Sequence, residues 1–230
     1  MKTLIWFVLV LCCAVMVPAQ ERVIDKAEFD AMMSGGYDHK IKWKGEKYRI
    51  TVTTSSTMMG RPQTDWSSKT ITEYGTSAET RSIYTSMLGG KPAPQKESLR
   101  IGDWLYTRSG DDAWTRKEYV PSSAAAKEKE ESSRKVLSSQ VEYRYLGQST
   151  LGDRPVHIYI KTERKTIFNE KSGENAETES KNSYWLDGKG LVLKSEYTSE
   201  YRGKNTMQTG VIMEYEIDPS IIFSVPETAP

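Results

Sequence analysis

Two histidines, His39 and His157, are the only side chains in this chain of 230 residues whose ordinary pKa suits proton transfer near neutral pH. A Ser-His-Asp relay needs a histidine within reach of its nucleophile. His39 follows a Gly-Gly break, and His157 falls on the charged side of an alternating segment. Both read as exposed polar residues with no catalytic task. No GxSxG, HExxH, phosphate-loop or dinucleotide fingerprint is present. With 2 His and 2 Cys, the latter adjacent at Cys12 and Cys13, a zinc centre lacks ligands. Asp111, Asp112 and Asp187 stand beside glycines without the alternating oxygen spacing of a calcium loop, so they read as turn formers. The sequence thus points to no catalytic residue, no metal and no cofactor, and to a protein that is not an enzyme.

Charge narrows the partners. There are 32 Lys+Arg against 31 Asp+Glu, a net charge of +1. Lys40, Lys42, Lys44, Lys47 and Arg49 surround Trp43 and Tyr48, a basic-aromatic mixture that could meet nucleic acid. So even an overall balance gives no general grip on a polyanion, and the lysines read as the solvated side of a sheet. Nucleic acid is not an expected partner.

The first residues form an address. Lys2 precedes an uncharged run from Leu4 to Val17, and Val17-Pro18-Ala19 offers a small-residue cleavage site. The run is short for a membrane span and suits a signal peptide, residues 1–19. Lipidation at one of the cysteines is a minor alternative, because Leu11 and Cys12 precede them where small residues are wanted. Cleavage after Ala19 leaves 211 of the 230 residues, without cysteine and without a transmembrane span. An exported chain with no disulfide fits a bacterial periplasm.

The remaining residues, 20–230, read as one domain dominated by a period of two. A short amphipathic helix is expected over Val23–Met33, ended by Gly35-Gly36. Strands follow around Tyr48–Val52, over Ser67–Leu88 with a break near Gly75, and over Leu99–Thr107 and Ala113–Tyr119 around the turn Ser109–Asp112. Others lie over Val141–Tyr145, Val156–Ile160 and Tyr184–Leu186, then Leu191–Arg202 and Thr206–Ile217 about a Gly203-Lys204 turn, and Ile221–Val225. Ser122–Ser139, rich in Ala, Glu and Lys, reads as an inserted helix, and Asn169–Asn182 as an extended hairpin tip or a loop. The sum is about eleven antiparallel strands in a meander.

The inward side of these strands is unusual. Tyr48, Tyr197, Tyr201 and Tyr215 alternate against charge together with Met207, Met213, Ser195, Ser199 and Thr209. Small residues beside tyrosines and methionines make roomy, adaptable walls, which suits a lined cavity better than an interlocked core. The candidate lining is Tyr48, Ile50, Val52, Leu193, Tyr197, Tyr201, Val211, Met213 and Tyr215. An ordinary strand core of Tyr and Thr is the competing reading.

Three stretches carry a family resemblance. They are Ile101-Gly102-Asp103-Trp104-Leu105-Tyr106 followed by Trp114; Tyr184-Trp185-Leu186-Asp187 running to Gly190-Leu191-Val192-Leu193-Lys194; and Tyr215-Glu216-Ile217-Asp218-Pro219 running to Pro226. In that order, behind an export signal and an N-terminal helix, they resemble the bacterial LolA-like superfamily of lipoprotein carriers and LppX/LprG-type lipid-binding proteins. The resemblance implies an α+β fold, mainly antiparallel β. It would be an incomplete (half) β-barrel of about eleven strands, with helices covering the concave face. It also implies a hollow for the acyl chains of a lipid or acylated lipoprotein, with the N-terminal helix and Ser123–Ser138 as lid elements. The family's basic-Pro-Asn segment has only Arg61-Pro62-Gln63 here, so no lid-latching arginine is carried over.

Two functions are consistent with these residues. The first is carriage or sensing of a hydrophobic ligand in the bacterial envelope, periplasmic or secreted. The second is an interaction module that reads an envelope protein through exposed strand edges, with no lipid.

Overall fold

A computed structural model describes residues 21–120, 134–170 and 173–227. The expected signal segment lies outside the described residues. So does most of the expected insertion helix.

The chain opens with β1 (Arg22–Ile24), α1 (Lys26–Met33) and α2 (His39–Lys42). A first run of strands follows: β2 (Tyr48–Met58), β3 (Trp66–Tyr74), β4 (Thr80–Leu88), β5 (Lys91–Pro92), β6 (Lys96–Ile101), β7 (Trp104–Ser109) and β8 (Thr115–Glu118). The second run is β9 (Arg134–Leu151), β10 (Arg154–Asn169), β11 (Glu174–Leu186), β12 (Val192–Arg202) and β13 (Thr206–Ile217). All thirteen join one antiparallel sheet, ordered β1-β9-β10-β11-β12-β13-β2-β3-β4-β6-β7-β8, with β5 beside β4. Each run is a meander of neighbours. The last strand then returns beside β2 and welds the two runs together, over eleven residue pairs from Met207↔Met58 to Ile217↔Tyr48. The edges, β1 and β8, do not pair with each other, so the sheet is open.

The strand count exceeds the expected eleven for local reasons. Arg22–Ile24 does not start the helix; it pairs with Tyr143–Tyr145 of β9. The helix begins only after Asp25, whose side chain accepts the Glu28 N–H at 2.8 Å. Leu99–Thr107 is not one strand, because Gly102 at φ +58° turns the chain between β6 and β7. Ile221–Val225 forms no strand. Asp218 collects Ser220 in a turn, and Lys47 Nζ donates to the Ile221 carbonyl at 2.7 Å, so the chain leaves the ladder there. The end of the expected insertion helix, from Arg134, is strand β9: Val136 pairs with Ile167 and Lys135 with Phe168. Helical propensity over so short a polar stretch is weak beside an available ladder. Within the expected tip or loop, Glu174–Asn182 belongs to β11, paired with β10 out to Asn169↔Glu174.

Residues opposite one another in a ladder point to the same side, so the registers define two faces. One bears both helices. Phe29 of α1 meets Tyr143 and Tyr184, with ring centroids 4.8 and 5.9 Å away. His39 of α2 stacks on Tyr215, and Trp43 meets Tyr48 edge-on at 5.5 Å. The turn between the helices is pinned by Val192 N–H donating to Gly36 O at 2.8 Å. A Cβ on Gly36 would sit 3.1 Å from both the Met33 carbonyl and the Val192 side chain, which is why this contact takes a glycine. The core lies here, around Val156, Leu186, Leu191 and Val192, each at most 1% exposed.

The helices are small against what they cover. An eight-residue helix spans ~12 Å, whereas β10, with 16 residues, runs for ~53 Å. Only one end of this face is roofed by α1 and α2.

Candidate functional site

Beyond the helices the same face continues as a floor of adjacent rows. One row reads Tyr184, Ser195, Met213, Val52 across β11, β12, β13 and β2; the next reads Asn182, Tyr197, Val211, Thr54. A third consists only of small hydroxyl residues, Ser180, Ser199, Thr209 and Ser56, and a fourth reads Thr178, Tyr201, Met207, Met58. Rows lie ~7 Å apart along the strands. The small-residue row is therefore a furrow, with Tyr197 and Val211 on one bank and Tyr201, Met207 and Met58 on the other. Both outer-face neighbours of Tyr197, Glu196 and Thr198, are polar, and Lys194, Glu200, Arg202 and Glu214 continue that side. That side is polar except at Ile212, which pairs with Glu196 and Thr53.

The nine residues of the candidate lining separate into two groups. Tyr48, Leu193 and Tyr215 lie under the helices and are buried at 6, 4 and 9% exposure, packed by the chain's own side chains. Ile50 and Met213 sit at the border, partly buried against that core. Val52, Tyr197, Tyr201 and Val211 are half-buried on the floor beyond it.

Burial acts on several tyrosine hydroxyls at the roofed end of this face. It pushes Tyr184 and Tyr215 up to about 12 and raises Tyr37, whose hydroxyl hydrogen-bonds Ser195. Tyr215 donates to the Met213 sulfur at 3.6 Å. The border of the roof therefore presents uncharged rings and a thioether, a surface compatible with hydrocarbon.

His39 is not exposed, contrary to its reading from sequence. It is 3% exposed, its Nε2 lies 2.5 Å from Val192 O, and its ring stacks on Tyr215 at 4.0 Å and 3°. Burial, the largest influence, lowers its pKa. The four-residue α2 was not legible, and without it nothing turns His39 inward. His157 is partly buried, with Nδ1 2.8 Å from the Tyr145 hydroxyl. Tyr159, two residues on along the same face of β10 and opposite Tyr184, is buried beside Tyr145; the register shift there leaves Leu146 of β9 unpaired. Asp187 is a turn former: its Oδ1 accepts from the Lys189 and Leu191 N–H groups at 2.9 Å. Among the described residues no group of three or more His, Cys, Asp or Glu could hold a metal ion.

Two hollows flank the floor. One of about 520 Å³ crosses the outer face over Lys181, Thr198, Gly210, Ser55 and the row beside them, and its lining is polar and charged. The other, of about 450 Å³, lies on the helix-bearing face over β4, β6 and β7, with Ser82, Tyr84, Lys96, Ser98 and Thr107 in its wall. The sequence reading missed both; the outer-face hollow brings together strands distant in the chain, while the other lies within residues 82–115.

No protein-family model matches the sequence, and no curated protein matches it. Solved structures are similar to it. A LolA superfamily protein, NE2245 from Nitrosomonas europaea, shares 8% identity at a TM-score of 0.27, over 81% of this chain and 90% of that one. A DUF1329 family protein from Desulfovibrio piger shares 10% at 0.26, over 83% and 95%. A domain from Vibrio parahaemolyticus described as outer membrane lipoprotein-sorting shares 8% at 0.24, over 85% and 92%. Likeness at these scores carries no argument about function, which rests on the chain's own geometry.

Among the described residues, no helix is long and apolar enough to cross a membrane.

Proposed function

We propose that this protein binds a hydrophobic ligand, the acyl chains of a lipid or lipoprotein, on the helix-bearing face, for carriage or sensing in the bacterial envelope. In this reading the face is the hollow of an open half-barrel, with α1 and α2 roofing one end. The observation that carries it is the floor itself. Val52, Tyr197 and Val211 lie outside the buried cluster, half-exposed beside a furrow of Ser and Thr, while the reverse of β12 carries Lys194, Glu196, Glu200 and Arg202. A methylene chain lying there would gain about 0.8 kcal/mol per CH₂ removed from water. No group on the floor needs to react; binding and release suffice.

Native mass spectrometry of protein purified from a bacterial periplasm without detergent tests this, followed by organic extraction. A stoichiometric bound lipid is expected. Val211→Asp places a carboxylate on the floor and should weaken uptake of a fluorescent fatty acid by about tenfold or more, because an unpaired charge resists desolvation. An apo mass with no fatty-acid uptake refutes the reading.

That outcome would favour an interaction module. The edge supports such a module: all four residues of β8, Thr115–Glu118, are exposed, and β8 has no further neighbour among the described residues.

A further inference from the structure

Exposed apolar side chains gather at the end of the sheet away from the helices. Three turns meet there: Met59–Asp65 between β2 and β3, Gly89-Gly90 between β4 and β5, and Gly203–Asn205 between β12 and β13. Backbone bonds tie them together. Met59 N–H donates to the Thr206 carbonyl at 3.0 Å, and Gly89 N–H donates to the Asp65 carbonyl at 2.7 Å. Met59, Met87, Leu88 and Met207 stand around these turns, all exposed, with Met59 at 72% and Leu88 at 58%. Leu88 ends the furrow's own row, through Trp66 and Ser56, and Met207 pairs with Met58 in the row beyond. Apolar side chains grouped in this way and rimmed by polar residues mark a docking surface.

Charge selects the partner. Arg61 lies two residues after Met59, and Lys91 three after Leu88; both are exposed and make no ion pair among the described residues. The three turns contain a single carboxylate, Asp65, whose Oδ1 accepts the Met58 N–H at 3.3 Å. Glu200 nearby is taken by Arg202 at 2.9 Å. Glu170, Glu174 and Glu177 of the β10–β11 hairpin share this end of the sheet. β11 stands three strand spacings from β2 and five from β4, ~14 and ~24 Å. That is past the ~8 Å over which exposed charges act at physiological salt. The sector around β2 and β4 therefore presents two free cations beside large apolar side chains.

We infer that this end of the sheet docks on the surface of an anionic phospholipid bilayer. Met59 and Leu88 enter the interface, and Arg61 and Lys91 reach the lipid phosphates from beside them. The docking does not depend on the lipid-binding reading above. It sets the open end of the floor, at Met58 and Met207, against the bilayer.

Flotation of the protein purified from a bacterial periplasm tests it, with vesicles of equal parts phosphatidylglycerol and phosphatidylcholine or of phosphatidylcholine alone. In low salt the protein should float with the mixed vesicles and stay in solution with the neutral ones. Arg61→Gln together with Lys91→Gln should weaken binding about thirtyfold. Met59→Ser together with Leu88→Ser should weaken it about tenfold or more. All four side chains are exposed, so both proteins should melt with wild type. Lys117→Gln, on β8 at the edge of the sheet, should leave binding unchanged. No flotation, equal flotation with both vesicles, or binding that survives either pair of substitutions overturns the docking. A dimer that is lost on changing Met59→Ser and Leu88→Ser gives the patch to a second copy of the chain and overturns it as well.

Discussion

Replacing His39 probes the roof of the proposed cavity, because one ring joins α2 to two strands. In His39→Phe the ring still stacks on Tyr215, but the Val192 carbonyl loses its partner inside a buried site. That costs about 1–3 kcal/mol. In His39→Ala the stack goes too, at about 0.5–1.5 kcal/mol, and a ring-sized void appears, for about 3–5 kcal/mol in all. At roughly 2–4 °C per kcal/mol for a domain of this size, the alanine variant should melt about 6–20 °C lower, with the phenylalanine variant between it and wild type. The pH dependence adds a second readout. Burial lowers the folded-state pKa of His39, so the unfolded chain binds the proton more readily. This residue's contribution is therefore full above the unfolded pKa of about 6.5 and is lost as pH falls from there toward the lowered folded value, by at most about 1.4 kcal/mol per pH unit. His39→Phe lacks that loss and shares every other titration. Urea unfolding of the two proteins at pH 7.5, 6.5, 5.5 and 5.0 should show their stability gap narrowing as the pH falls. A constant or widening gap would mean that His39 is solvated or carries its charge in the fold, and the account of the roof would be wrong.

Two other changes have definite expectations. Glu73, 3% exposed, is held by Arg49 at 2.9 Å and by Arg81, and Arg49 also reaches Asp218 at 2.9 Å. Glu73→Gln leaves two arginines facing each other across β2, β3 and β4; both are about a third exposed, so the loss should be about 1–2 kcal/mol, short of a fully buried pair's, in denaturant titration. Gly36→Val sets branched carbons against the Met33 carbonyl and the Val192 side chain, and should lower stability by about 1–3 kcal/mol in thermal melts while speeding amide exchange of the Val192 N–H.

What was legible in the sequence follows the range of each signal. Alternation is local, so β12 and β13 were read almost to the residue: Leu191–Arg202 against Val192–Arg202, and Thr206–Ile217 unchanged. Turns with glycine at positive φ were legible at Gly190, while Gly102 was passed over because the residues around it keep the strand pattern. Pairing of β13 with β2 was not legible, since nothing in residues 48–58 marks residues 206–217 as a partner; that contact is set by the closing of the sheet. The burial of Glu73 was hidden for the same reason, because its two arginines come from neighbouring strands.

The candidate site divides along the same boundary. Period-two reading placed all nine lining residues on inward positions but could not tell roofed from open floor, because the roof depends on where α1 and α2 land. That landing is fixed by contacts of long sequence separation, Gly36 with Val192 and His39 with Val192 and Tyr215. The roof then decides the chemistry of what remains. It consumes Tyr48, Leu193 and Tyr215 as core and leaves Val52, Tyr197, Tyr201 and Val211 uncovered by the helices. Two helices of eight and four residues on strands of up to eighteen residues cannot close the whole face. A sheet whose core needs only one end of its apolar side has surface left over at the other, and charge on the reverse of β12 and β13 prevents that surface from being buried by folding the sheet the other way. The exposed floor among the described residues is thus a consequence of unequal helix and strand lengths, and a ligand bound there, as proposed, would displace nothing from the core.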